Sequence, residues 1–233
     1  MSPFDNRNFN TPHTNHQNIM IYTIGITGGI GSGKSFICHQ LEEAGFKVFY
    51  CDDEAKRIMR THATLKRILS LVVGDNLYDK NGEMNKEVMS AFLRSGKKEE
   101  VNMVNGLIHP LVALSWFDTM REWEKKTCHS KVSPNRLFRL NKQEEIELED
   151  LLSLSPTHTL FMECALLFES DFSNLVDHSV LVHVSPQTQL KRLMARNHIS
   201  EAQAKEWIGL QMSEKKKMEL ADFILDNNQD RSE

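Results

Sequence analysis

The stretch Ile21–Ser35, IYTIGITGGIGSGKS, decides how the rest of the chain is read. Its first seven residues, Ile21–Thr27, are apolar on both faces, the pattern of a buried parallel strand. The eight that follow, Gly28–Ser35, fit GxxxxGK[ST] through Gly28, Gly33, Lys34 and Ser35. Average residue frequencies produce that pattern by chance in roughly one chain in a hundred of this length. A strand before it and a helix after it make coincidence rarer still. Glycines let the backbone turn sharply and aim successive N–H groups at phosphate oxygens, at the start of a helix. Lys34 is then expected to reach the β- and γ-phosphates of a nucleotide, and the Ser35 hydroxyl to ligate Mg²⁺. Gly29, Gly31, Ser32, Gly33 and Phe36 complete the expected nucleotide-binding loop. The reading is a P-loop nucleotide-binding enzyme.

Working outward, a helix is expected from Lys34 to Ala44, stopped by Gly45. A strand at Lys47–Tyr50 leads into Asp52, Asp53 and another helix, so one βαβ unit opens a doubly wound sheet. Residues 63–125 read mostly helical, interrupted by Gly74, the turn Asp79–Gly82 and Pro110, with His109-Pro110 starting a helix. Further strands are expected at Thr159–Glu163, Ser179–Val184 and Phe223–Leu225, about five in all. Helices are expected at Gln187–Arg196 and Ser200–Gln211. The polar stretch 127–157, with Pro134, Pro156 and the acidic cluster Glu144–Asp150, reads as an insertion forming a loop or one surface helix. Residues 1–19 are rich in Asn, His, Thr and Pro and are expected to be a disordered tail, with Met20 as an alternative start. Residues 20–228 are then one nucleotide-binding domain, and 229–233 a short tail.

Bulk properties narrow the setting. The chain has 233 residues, a formal net charge of −4 and 26% charged residues. That balance argues against nucleic acid as a partner, so phosphate affinity has to come from a local site. Cys38, Cys51, Cys128 and Cys164 form no CxxC and lack zinc-ligand spacing to any His. Reduced thiols, the lack of a membrane-length apolar run and the lack of an apolar signal sequence fit a cytoplasmic enzyme.

Three further places could carry chemistry. Asp52 and Asp53 follow the second strand, whose carboxyl end faces the same crevice as the glycine loop. One of them could orient an acceptor hydroxyl, or both could serve the helix N-terminus. Arg192 and Arg196 lie four apart on one helix face and, with Lys191, could clamp a phosphoryl group in a closing lid or form a solvated basic face. His109 alone is ordinarily a capping or core residue.

Taken together, these residues resemble the dephospho-CoA kinase family. The likeness runs through ITGGIGSGKS (Ile26–Ser35), LEEAGFKVFYCDDEAKR (Leu41–Arg57) and IHPLV (Ile108–Val112). It continues through ALLFES (Ala165–Ser170), VSPQTQLKRLMAR (Val184–Arg196), Gln211, Lys215 and ADFILDNN (Ala221–Asn228). The resemblance implies transfer of a phosphoryl group from ATP to the ribose 3′-hydroxyl of dephospho-CoA. It implies a P-loop core (20–61 and 158–228), a helical CoA-binding part (62–126) and a small lid (186–211). By the same likeness Asp52 stands beside the acceptor hydroxyl while Asp53 is left as a cap. Arg192 and Arg196 become lid arginines, His109 shapes the acceptor side, and Asn227 lies near the adenine of ATP. The expected partners are those two small molecules, with no nucleic acid or membrane, and the expected state is a monomer.

The chain departs from the family pattern at Tyr50, where an Asp is usual, at Phe36, where Thr is common, and at Ala165, which stands for a proline. Two other readings compete. Another small-molecule kinase would share Lys34, Ser35 and the arginines but not the HPLV and ADFILDN blocks. A GTPase would need NKxD after a late strand, and the nearest match, Asn141–Glu144, ends in Glu within the polar stretch.

Overall fold

The computed structural model describes residues 21–95, 97–127 and 143–229. The expected N-terminal tail, the start at Met20, residues 128–142 of the expected insertion and the end of the C-terminal tail lie outside them.

The core is a parallel sheet of six strands in the order β2-β4-β1-β5-β6-β3. The strands are β1 (Tyr22–Thr27), β2 (Lys47–Tyr50), β3 (Glu144–Ile146), β4 (Thr159–Glu163), β5 (His178–His183) and β6 (Phe223–Asp226). Registers run Ile24 beside Phe161 on one flank of β1 and Ile24 beside His178 on the other. The alternation of side chains along each strand divides the core in two. Phe49, Leu160 and Met162 join one cluster, while Val48, Phe161, Val180 and Val182 join the other. Both faces are therefore covered, which is why the strands read as continuous apolar runs.

One face carries α1 (Lys34–Glu43). The other carries α2 (Cys51–Thr61), α3 (Ala63–Val73), α4 (Lys86–Leu93) and α5 (Lys98–Thr127). Val104, Ile108, Val112 and Trp116 recur every fourth residue on α5, and all four are buried. Trp116 packs edge-on against Phe49 and donates its indole N–H to the Leu175 carbonyl at 3.0 Å. Pro110 corrects the sequence reading, because α5 runs through it without a break. A mid-helix proline costs about 3 kcal/mol. Burying four large side chains on either side of it outweighs that penalty.

The expected insertion also differs from its reading. The acidic Glu144–Ile146 is the sixth strand, in register with Phe223–Leu225 at the sheet edge. Behind it, α6 (Leu148–Leu152) is closed by a capping box between Glu147 and Asp150, and Leu148, Leu151 and Leu154 enter the core. Charged residues on a short edge strand discourage further pairing. They also hide the strand from a search for apolar alternation.

After β5 come α7 (Pro186–Asn197), α8 (Glu201–Gly209) and α9 (Glu214–Leu220). Ser185 caps α7 ahead of Pro186, and Ser200 forms a capping box with Gln203 at α8. The polar seven-residue α9 was not anticipated. Since β1 lies between β4 and β5, the winding reverses there, and ligands of such sheets bind beyond the carboxyl ends at that point.

Candidate active site

The Gly28–Gly33 loop leaves the carboxyl end of β1 and feeds directly into α1. Gly31 and Gly33 have φ of 81° and 88°, a left-handed backbone that glycine adopts without strain. A Cβ built on Gly33 would also collide with the Asn227 amide nitrogen. The loop is pinned from three sides. Gln211 Oε1 accepts from the Ile30 N–H at 2.8 Å, and Gln189 Nε2 donates to the Ile30 carbonyl at 2.9 Å. Asn227 Nδ2 donates to the Ser32 carbonyl at 2.9 Å. The loop is thus held open by side chains from α7, from the segment after α8 and from the end of β6.

A polar cavity of about 320 Å³ sits over this loop. It is lined by Gly29, Gly31, Gly33, Lys34, Ser35 and Phe36, with Asp52, Glu163, Ala165, Arg196 and Gln211 on its other walls. Lys34 Nζ donates to the Gly28 carbonyl at 3.0 Å and lies 4.0 Å from Glu163 Oε1. Burial pulls the Lys34 ammonium below its ordinary value, Glu163 opposes this, and the like charge of Lys217 adds to it. Burial likewise pushes the Glu163 carboxyl up; Lys34 pulls it back, and Asp52 and Asp53 push it further. Glu163 ends β4 and was not singled out from sequence. Its only signal is its place at the carboxyl end of a fully buried strand.

A second cavity, also about 320 Å³, opens on the far side of Asp52. Its walls are largely apolar, with Met59, Met89, Val104, Ile108 and Phe172 among them, and His109 lines it too. The His109 ring meets Phe172 edge-on with centroids 5.6 Å apart, and burial lowers the imidazole pKa, leaving the ring neutral at pH 7. Asp52 lines both cavities and is exposed. Asp53 lines neither and pairs instead with Lys56 at 2.8 Å. Nor does it cap α2: Tyr50 holds that position without a side-chain bond, and Asp53 sits in the first turn, where an acidic group suits the helix dipole.

The remaining expected residues separate. Arg196 reaches the polar cavity, exposed on α7. Arg192 donates to the Gln229 carbonyl at 2.8 Å and does not line that cavity, although a Cβ built on Gly33 would lie 3.7 Å from its Nη1. Ser32 is buried beneath the loop. Asn227 is 3% exposed and also absent from the cavity wall, so its place is under the loop rather than beside an open base site. Lys215 is exposed, while Lys217, two residues on, is fully buried beside Ala165. The unusual residues are accommodated locally. Tyr50 donates its hydroxyl to Glu42 at 2.8 Å, and Phe36 packs on the core cluster beneath α1.

Replacing Asn227 with Ala leaves the buried Ser32 carbonyl without its partner, a loss of about 1–3 kcal/mol. The expected outcome is ATP affinity roughly tenfold weaker, with binding of the acceptor unchanged. Titration calorimetry with each ligand measures both.

Comparison with known proteins bears on the family and the fold. The family profile described as dephospho-CoA kinase matches residues 22–138 and 137–233. A dephospho-CoA kinase of Bacteroides fragilis is 31% identical over 209 residues, covering 90% of this chain and 86% of that protein. One from Staphylococcus aureus is 32% identical over 210 residues, with the same shares covered. Among solved structures, a Thermus thermophilus protein superposes with a TM-score of 0.65 at 23% identity, covering 91% of each chain. The dephospho-CoA kinase of Campylobacter jejuni does so with 0.58 at 22% identity, covering 90% of each. Profile, identity and fold agree over nearly the whole described length, and the chain belongs to the dephospho-CoA kinase family.

Proposed function

We propose that this chain phosphorylates the ribose 3′-hydroxyl of dephospho-CoA with ATP, giving coenzyme A and ADP. The observation that carries the reading is Asp52, which borders a polar cavity over the glycine loop and an apolar cavity on its other side. A phosphoryl donor suits the first and the acceptor's purine nucleoside the second, so donor and hydroxyl meet at one carboxylate.

The loop N–H groups and Lys34 hold the β- and γ-phosphates, and Arg196 reaches the transferring group from α7. Arg192 lies on the same helix with its guanidinium already beside Gly33, where release from the Gln229 carbonyl would let it turn to the phosphates. The bond between the γ-phosphorus and the bridging oxygen breaks as the 3′-oxygen attacks, and ADP leaves. The transition state is loose, so the hydroxyl keeps its proton until late. Asp52 orients that hydroxyl and then takes the proton. His109, neutral and packed on Phe172, gives the acceptor cavity a flat wall suited to a base.

Among the described residues no cluster of three or more His, Cys, Asp or Glu can hold a metal ion. The oxygen donors present, the Ser35 hydroxyl with Glu163 and Asp52 nearby, suit Mg²⁺ held mainly by phosphates and water. When bound it would neutralise charge on the β- and γ-oxygens. No helix among the described residues is long and apolar enough to cross a membrane. Cys38, Cys51 and Cys164 are free and buried, which fits the reduced thiols expected of a cytoplasmic enzyme.

The test is a coupled assay of ADP release with dephospho-CoA, AMP, CMP, shikimate and gluconate as acceptors. Turnover with dephospho-CoA well above the others is the expected result. Preference for any other acceptor refutes the assignment.

A further inference from the structure

Lys217 is fully buried on α9, although Lys215 and Lys216 on the same short helix are exposed. Its ammonium meets two oxygens at the outer limit of contact. The Ala165 carbonyl is 3.5 Å away, and Glu169 Oε1 is 3.6 Å away. Glu169 Oε1 is itself shared, accepting from the Met212 N–H at 3.1 Å. A desolvated ammonium with such loose partners is costly, and an apolar side chain of similar volume commonly fills such a place at equal or better stability. Stability alone therefore does not account for a charge here.

What lies on the other side of its nearest partner does. Ala165 forms part of the polar cavity wall together with Lys34, Glu163, Arg196 and Gln211. The field of Lys217 also reaches Lys34, where it is one of the influences lowering that ammonium's pKa. Water is excluded around Lys217, so its charge acts through a medium that screens it poorly.

We propose that Lys217 is a second cation of the phosphate site, fixed behind Ala165, whose charge stabilises bound β- and γ-phosphates. The proposal rests on reading Gly28–Ser35 as the phosphate site. It makes Lys217 a positioning residue of the donor site rather than one that touches the acceptor.

The test compares AMP and ATP binding by calorimetry, with melting temperatures, in the full chain and in Lys34→Met, Lys217→Met and Glu169→Gln. Lys217→Met is expected to fold and to weaken ATP on the order of tenfold, the scale of one charge pair at a partly desolvated site. AMP binding is expected to stay within about twofold. Glu169→Gln keeps the lysine charge and the acceptor for Met212 but removes the opposing carboxylate. Its ATP affinity is expected to equal or exceed that of the parent chain.

Unchanged ATP affinity in Lys217→Met overturns the proposal. So does an equal loss of ATP affinity and melting temperature in Lys217→Met and Glu169→Gln, since the lysine would then serve only as half of an ion pair. Should Lys217→Met not fold, Glu169→Gln decides alone: retained or tighter ATP binding supports the proposal, and weaker binding refutes it. Failure of the parent reading looks different. In that case the unaltered chain itself binds ATP no better than AMP, and Lys34→Met changes nothing.

Discussion

Lys34→Met is expected to lower kcat/KM for ATP by about a thousandfold or more, the scale of removing a preorganised charge from a transferring phosphoryl group. The ammonium is already positioned, held by the Gly28 carbonyl at 3.0 Å and facing Glu163 at 4.0 Å. Little ordering remains for it to undergo when phosphate arrives. The same variant carries a stability signature with a definite sign. Glu163 is held above the usual carboxylate value by burial, and Lys34 is the main influence pulling it down. Without Lys34 its folded pKa rises further above the unfolded value of about 4.3. A group whose pKa is higher in the folded state binds more protons there. Its contribution is then fully favourable below the unfolded value and is lost as pH rises through the folded one. Lys34→Met should therefore lose more melting temperature relative to the parent chain near pH 7 than near about pH 5. Adding Glu163→Gln should remove that slope. Steady-state kinetics and thermal melts at the two pH values check both parts.

Asp52→Asn is expected to lower turnover by about 10²–10⁴-fold, the range for a positioned acid–base group, while ATP still binds. Asparagine keeps the size and one acceptor oxygen, so it still contacts the hydroxyl, but it cannot take the proton. Asp52 is exposed and lies in the first turn of α2, so the substitution removes no buried contact. Losing its favourable position at the helix N-terminus costs on the order of 0.3–1 kcal/mol. The neighbouring carboxylate is the control. Asp53 lines neither cavity and pairs with Lys56 at the surface, so Asp53→Asn should keep near-normal turnover. Single-turnover kinetics with calorimetric ATP binding separates the two. Equal activity in Asp52→Asn and Asp53→Asn removes Asp52 from the chemistry.

Much of this site was legible because its parts are local. The strand, the turn and the helix of Ile21–Glu43 need only neighbouring residues to specify them. Asp52, two residues past Tyr50 at the end of β2, is placed by the same short-range logic. The six-stranded count was not legible. The sixth strand is three residues long and partly acidic, and its pairing partner Phe223–Leu225 lies almost eighty residues away. Pro110 misled because its local penalty was visible and the four buried side chains that offset it were not recognisable as one packed stripe. Motif spacing likewise does not say which of the three adjacent lysines 215–217 faces inward, and burial picks out Lys217.

By itself, the sequence determined the donor chemistry: a glycine loop with Lys34 and Ser35 between a strand and a helix, whose backbone geometry follows from residue type. Its string of blocks also determined the family. Only the tertiary structure decided what stands around that loop. Glu163 beside Lys34, Asn227 beneath Ser32, the two glutamines on Ile30, Asp52 between two cavities and Lys217 behind Ala165 all join residues far apart in the chain. The reason is that burial and long-range electrostatics belong to packed neighbours. A carboxylate is pushed up, or an ammonium down, only once strands and helices distant in sequence have excluded water around it.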